Sequence, residues 1–148
     1  MKLKLIIFLI LFTGFITAQK TTKLKNEVIK SLNDQSAELI NISDTIWGAA
    51  EIAFQESISS QTLIKYAKKN GFDVEEGVAE TPTAFIATYG LGNPVIGILG
   101  EFDALPGLSQ NRSSHKDPLE EGAPGHGCGH NLFGTASLGA AVSIKKLI

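Results

Sequence analysis

The chain has 148 residues, which is enough for one domain with a hydrophobic core. Its formal net charge is −2, and it shows neither a basic patch nor interleaved basic and aromatic residues, so we expect no nucleic-acid partner. A single cysteine excludes an internal disulfide framework.

Residues 1–18 have the pattern of a secretory signal peptide. Two lysines precede an apolar run over Leu5–Ile16, and Thr17 and Ala18 offer a small-residue cleavage site. A membrane span is the alternative, but the run is shorter than the ~20 apolar residues that a span needs. We therefore expect an exported protein, periplasmic or extracellular, with no stable membrane span.

Three helices are predicted from apolar residues that recur at helical spacing. They are Gln19–Ala50, a segment that is capped by Ser59 or Ser60 and ends at Lys69, and Asn131–Ile148. Gly71 is placed to terminate the second helix, and Asn131 is the expected N-cap of the third. Small residues in the third helix, among them Gly134 and Gly139, would allow it to pack closely against a sheet.

Three short strands are predicted between the second and third helices. They are Phe72–Val74, Thr83–Tyr89 and Pro94–Gly100. The last of them is almost wholly apolar, which favours a central strand buried on both faces. Its closeness to Thr83–Tyr89 favours a hairpin between these two strands inside a mixed sheet. Together, the predicted helices and strands indicate an α/β fold.

Two acidic residues follow the apolar strand directly. Glu101 and Asp103 begin the stretch that runs to Pro106. In open α/β sheets, functional sites lie beyond the carboxyl ends of the strands, so both carboxylates are candidate site residues. Solvated loop carboxylates are the alternative that position alone leaves open.

A glycine-rich loop over residues 122–134 holds the only cysteine, Cys128, and two of the three histidines, His126 and His130. A thiolate and an imidazole two residues apart can both bind a zinc-like ion. A buried apolar cysteine beside hydrogen-bonded histidines is the alternative. The third histidine, His115, stands in a long polar loop, and we expect it to be solvated.

Four stretches together resemble the aminoacylase/carboxypeptidase family of metallohydrolases, and within it the amidohydrolase branch. They are Trp47–Glu56, Pro82–Gly90, Gly100–Gln110 and Glu121–Asn131. The last two motifs are specific, whereas the first two would be weak alone. The resemblance covers the chain from about Trp47 to its end.

The resemblance implies a three-layer α/β/α catalytic domain with a mixed sheet. A smaller inserted domain would lie outside this chain, and residues 19–148 would form the N-terminal part of the catalytic domain. It also implies two divalent metal ions, zinc or manganese, in the complete enzyme, for which a homodimer is one arrangement. The implied reaction is hydrolysis of an amide bond next to a carboxylate in a small molecule of the aminobenzoyl-glutamate, N-acyl amino acid or dipeptide class.

The resemblance also suggests roles for individual residues. Cys128 and His130 match metal ligands, and Asp103 matches a catalytic aspartate that orients a ligand. Glu101 stands at the position where other branches of the family have a ligand histidine. We predict that Glu101 and His126 lie next to the metal ligands without binding the ion themselves. Because the family supplies its general base and further ligands later in the chain, we expect a fragment with little activity alone.

Two other functions remain open from the sequence. Cys128 could act as the nucleophile of a thiol hydrolase, with His126 or His130 as its base. The chain could also be a non-catalytic exported module that binds a metal or a small molecule.

Overall fold

A computed structural model describes residues 23–148, which form three α-helices, a 3-10 turn and a two-stranded sheet. The helices are α1 (Lys23–Ala49), α2 (Ser57–Lys69) and α3 (His130–Lys145), the strands are β1 (Asp73–Glu76) and β2 (Phe85–Thr88), and the turn is Val78–Glu80. The predicted signal peptide lies outside the described residues. Within residues 23–148, no helix is both long and apolar enough to cross a membrane.

The core lies where the three helices meet. The buried side chains at its centre are Ile42 and Ile46 of α1, Leu63 and Tyr66 of α2, and Val142 of α3. Phe85 of β2 and Phe102 pack against this cluster, with their rings stacked at 6.1 Å between centroids. The helical spacing of apolar residues thus becomes a shared apolar interface, and the stacked rings connect it to the segment that carries the two candidate acids.

Helix α2 begins at Ser57, before either of the serines predicted to cap it, and no serine caps it. Instead, the Glu51 carboxylate accepts hydrogen bonds from the backbone N–H groups of Ile58 and Ser59, each at 2.9 Å. A carboxylate suits this position because the first N–H groups of a helix have no partner within the helix and carry partial positive charge. The end at Lys69, with Gly71 at a positive φ of 74°, agrees with the prediction.

The sheet is an antiparallel pair in which Asp73 lies opposite Thr88 and Glu76 lies opposite Phe85. Two of the three predicted strands are therefore present, with bounds shifted by one or two residues. The mixture of helices and strands confirms the predicted α/β class, and the sheet of the described residues has two strands.

The predicted central strand over Pro94–Gly100 is wrong, and so is its hairpin with β2. Residues 94–100 are irregular, and β2 pairs with β1. Val95 and Ile96 are 83% and 77% exposed. The physical reason is that no strand among residues 23–148 pairs with this segment, so its apolar side chains gain neither a ladder nor a covering layer. Its last residues are held by α3, because the Ser137 hydroxyl donates to the Leu99 carbonyl oxygen at 2.7 Å.

The exposure of this segment predicts the effect of removing an apolar side chain from it. Ile46→Ala removes a side chain that is 0% exposed and should lower the free energy of unfolding by about 2–5 kcal/mol. The same change at Ile96 should cost less than about 1 kcal/mol, because that side chain already contacts water. Urea unfolding of the two variants measures the difference, and an equal loss in both would contradict the exposed placement.

The raised pKa of Tyr66 leads to a prediction of how the free energy of unfolding changes at alkaline pH. Burial raises its pKa to about 12, the negative charge of Glu38 adds to this, and its hydroxyl donates to the side-chain oxygen of Gln35. Because the unfolded state loses this proton at lower pH, the stability contributed by Tyr66 is complete below about pH 10 and is lost as the pH rises toward 12.

Unfolding in urea at pH 8 and pH 11 tests this expectation, with Tyr66→Phe as the control. The wild-type chain should lose more stability than the variant between the two pH values. An identical loss in both proteins would mean that other groups control the alkaline response.

Candidate active site

The segment Glu101–Asp103 directs alternate side chains to opposite sides. Phe102 points into the core against Phe85, and the two flanking carboxylates both reach the same histidine. Such alternation is what an extended backbone produces. The segment is fixed at its end, because the Ala104 N–H donates to the Glu51 carbonyl oxygen at 2.7 Å.

A close approach of helix α3 brings this histidine to the acids. A Cβ atom at position 134 would lie 2.7 Å from the Glu101 carbonyl oxygen, so only glycine fits at that position without a shift of the backbone. His130 is the first residue of the same helix, about one turn before Gly134. The small residue in the helix thus determines how near His130 lies to the acidic segment.

His130 contacts both candidate acids, one through each ring nitrogen. Its Nδ1 lies 2.7 Å from Oδ1 of Asp103, and its Nε2 lies 3.1 Å from Oε2 of Glu101. The side chains of His130 and Asp103 are 22% and 25% exposed, whereas that of Glu101 is 51% exposed. The structure therefore brings together three of the five site residues predicted from the sequence.

The start of α3 differs from the prediction. The N-cap is Gly129, which has a φ of 78°, and Asn131 lies inside the first turn. Asn131 is buried, and its amide Nδ2 donates to the Ser43 hydroxyl of α1 at 3.1 Å. The N-cap prediction is wrong because the Asn131 side chain forms a tertiary hydrogen bond instead, a contact for which the sequence contains no local signal.

His126 faces α1 and is not bonded to the acids. Its Nε2 donates to the Ile46 carbonyl oxygen at 3.0 Å, which places the proton on Nε2 because a carbonyl oxygen can only accept. Its Nδ1 is buried without a hydrogen-bond partner among the described residues. Burial lowers the pKa of His126, so the neutral ring is favoured. This histidine connects the glycine-rich loop to the C-terminal end of α1.

Cys128 is exposed and takes part in none of these contacts. Among residues 23–148, no group of three or more histidine, cysteine, aspartate or glutamate side chains is arranged to hold a metal ion. Thiolate, imidazole and carboxylate are nevertheless donor types that a divalent ion accepts.

An open cavity of about 470 Å³ lies beside the glycine-rich loop, and its walls include Trp47, Arg112 and His126. The Arg112 guanidinium lies 5.5 Å from the centre of the Trp47 ring and 3.2 Å from the Asp44 carboxylate. Sequence reasoning did not single out Arg112, because a lone arginine in a polar loop carries no pattern. His115 is exposed, as predicted, and contacts only its own loop.

His126 and His115 should respond differently to substitution by alanine, because His126 bonds to α1 and His115 is exposed. His126→Ala leaves the Ile46 carbonyl oxygen without its side-chain donor and should lower the free energy of unfolding by about 1–3 kcal/mol. His115→Ala should change it by less than about 0.5 kcal/mol, since His115 is exposed. Thermal and urea unfolding of both variants provide the measurement, and a neutral His126→Ala would show that the loop does not depend on this bond.

No protein-family model matches the chain. It is 46% identical over 107 residues to a subunit of the p-aminobenzoyl-glutamate hydrolase of Escherichia coli (strain K12), a match that covers 72% of the chain and 22% of that protein. It is 26% identical over 150 residues to Xaa-Arg dipeptidase of Mus musculus, with 91% of the chain and 30% of that protein covered. Thermostable carboxypeptidase 2 of Saccharolobus solfataricus (strain ATCC 35092 / DSM 1617 / JCM 11322 / P2) is 29% identical over 126 residues, with 84% and 30% covered.

The chain therefore spans less than a third of the length of each of these relatives. All three are named as enzymes that hydrolyse amide or peptide bonds, in agreement with the resemblance carried by the sequence motifs. The chain belongs to the amidohydrolase and peptidase family that these relatives represent.

Proposed function

We propose that this chain supplies part of the catalytic domain of a metal-dependent amidohydrolase. The bond cleaved would be an amide next to a carboxylate, in the aminobenzoyl-glutamate, N-acyl amino acid or dipeptide class. The observation that carries the proposal is the contact of His130 with Asp103 and Glu101 at the start of α3. The names of the relatives support the substrate class, because an aminobenzoyl-glutamate, a dipeptide and a peptide C-terminus all present an amide near a carboxylate.

His130 and Cys128 would be metal ligands in this proposal. Imidazole and thiolate are donors that zinc accepts, and zinc or manganese, two ions in the complete enzyme, would be the cofactors. When bound, such an ion polarises an amide carbonyl and lowers the pKa of water at the site.

Asp103 would orient His130. Accepting a hydrogen bond from Nδ1–H at 2.7 Å fixes the tautomer and the angle of the ring, and it leaves the lone pair on Nε2. The stacking of Phe102 on Phe85 holds the neighbouring backbone against the core, so Asp103 has little freedom to leave this position.

We further propose that the chain alone has little or no activity. The described residues assemble no group of three metal donors, and the chain spans 22–30% of the relatives named above. A co-catalytic centre also needs a general base within reach of water. The proposal includes export by residues 1–18, and it includes a protein partner because one relative is named as a subunit.

The thiol-hydrolase alternative gains no support from the geometry. Within residues 23–148, neither His126 nor His130 forms a hydrogen bond with the Cys128 thiol. Each nitrogen of His130 faces a carboxylate, and His126 has one nitrogen bound to a carbonyl oxygen and the other buried. A nucleophile and its base need mutual hydrogen-bond reach, which these side chains lack here.

A hybrid enzyme tests the proposed function. The 107 residues of this chain that match the Escherichia coli relative would replace their counterpart in it, and release of glutamate from p-aminobenzoyl-glutamate would be measured. We expect hydrolysis by the hybrid and none by the chain alone. Chelation should abolish the activity. Cys128→Ser should lower it by at least about tenfold, because loss of a metal ligand should cost no less than loss of a residue that only orients a ligand.

His115→Ala serves as the matched control in the hybrid, because that exposed histidine contacts only its own loop. Activity that survives chelation but is abolished by thiol alkylation would replace the metallohydrolase with the thiol hydrolase. A folded hybrid without activity, together with a chain that binds metal, would favour the non-catalytic binding module.

A further inference from the structure

We propose that Glu101 is itself a metal ligand and shares an ion with His130 Nε2. This inference rests on the proposed function and assigns a role to the one acidic residue whose part the sequence motifs leave open. It separates the two acids of the segment: Glu101 would bind the ion, and Asp103 would orient the histidine from the other side of the ring.

The argument begins with the two nitrogens of His130. Each lies against one carboxylate oxygen, Nδ1 against Asp103 and Nε2 against Glu101. An imidazole binds a metal ion through a nitrogen lone pair, so an ion held by His130 must lie beside one of these two carboxylates. The question is therefore which of them it meets.

The distances assign the proton to the Asp103 side. The separation of 2.7 Å between Nδ1 and Asp103 is that of a charge-assisted hydrogen bond, whereas the separation of 3.1 Å between Nε2 and Glu101 is longer. With the proton on Nδ1, the lone pair of Nε2 faces a carboxylate oxygen, and two acceptors in that arrangement repel each other unless a cation lies between them.

The 3.1 Å separation also suits two ligands of one ion. Zinc–nitrogen bonds of about 2.0–2.1 Å and zinc–oxygen bonds of about 2.0–2.2 Å place the two ligand atoms about 2.8–3.5 Å apart for bond angles between about 90° and 109°. The Nε2 and Oε2 atoms already lie within that range. Binding would therefore need little rearrangement of either side chain.

The surroundings of Glu101 agree with this role. Its backbone is held beneath Gly134, and the preceding residues are bound by Ser137, so the carboxylate begins from a fixed position. Within residues 23–148 its carboxylate contacts no polar side chain other than His130. It is also the more exposed of the two acids, at 51% against 25%, so the Glu101 side of the ring is the side that a substrate and water reach.

The competing explanation is a proton in place of the ion. A doubly protonated His130 would donate to both carboxylates, and then neither nitrogen would be free to bind a metal. In that case His130 and Glu101 would form a structural ion pair, and neither would be a ligand.

The test is cobalt and zinc binding by the 148-residue chain, followed by cobalt absorption in the visible range and by competition with a chromophoric chelator for zinc. Glu101→Gln keeps the size of the side chain and removes its charge. Glu121→Gln is the matched control, because that glutamate is exposed and pairs only with Lys116. Glu101→His replaces one metal-binding side chain with another that is neutral.

We expect Glu101→Gln to weaken binding by at least about tenfold and to change the cobalt spectrum, with Glu121→Gln unchanged. Recovery of binding in Glu101→His would show that position 101 supplies a ligand rather than a charge. Equal binding by the wild-type chain and Glu101→Gln, or no cobalt bound by the wild-type chain at millimolar concentration, would overturn the inference. Neither result decides the proposed function, which depends on hydrolysis and chelation in the hybrid enzyme.

Discussion

The close contact between helix α3 and the segment before Asp103 is the constraint on which the candidate site depends. Gly134 lies so near the Glu101 carbonyl oxygen that a methyl group would be only 2.7 Å from it, and Ser137 binds the Leu99 carbonyl oxygen on the next turn. Because the helix begins at His130, this contact sets where the imidazole lies relative to both acids. On the opposite side of the segment, Phe102 packs against Phe85, so the backbone is held from two directions.

The two histidines of the glycine-rich loop have different surroundings. His126 contacts the backbone of α1, whereas His130 contacts the two candidate acids. His126 donates to the end of α1 and is kept neutral by burial, so it holds the loop in place. His130 lies between the carboxylates of Asp103 and Glu101 at the edge of solvent, with one ring nitrogen facing each acid. Cys128, between them in sequence, is exposed and contacts neither, so the described chain assembles the histidine and acid part of the site without the thiol.

The apolar segment at residues 94–100 shows that an apolar composition alone does not produce a strand. A run of this composition is typical of a strand covered on both faces, yet several of its side chains contact water. A strand forms only where a neighbouring strand supplies hydrogen bonds, and residues 23–148 supply none here. The chain spans at most 30% of the relatives named above, and the exposed segment lies directly before the acids of the candidate site.

The sequence by itself determined that three helices and the strands β1 and β2 form, and it determined the α/β class; it also nominated five candidate site residues. Local periodicity and the chemistry of Cys128, His130 and the two acids are sufficient for those conclusions, because helical spacing and donor types are properties of neighbouring residues. Only the tertiary structure decided that Glu51 caps α2, that Asn131 bonds to Ser43 and that His126 and His130 have different partners. It also decided that both acids meet His130. Each of these contacts joins groups that lie far apart in the chain or depends on which nitrogen of a ring faces which oxygen, and neither property is encoded in local spacing.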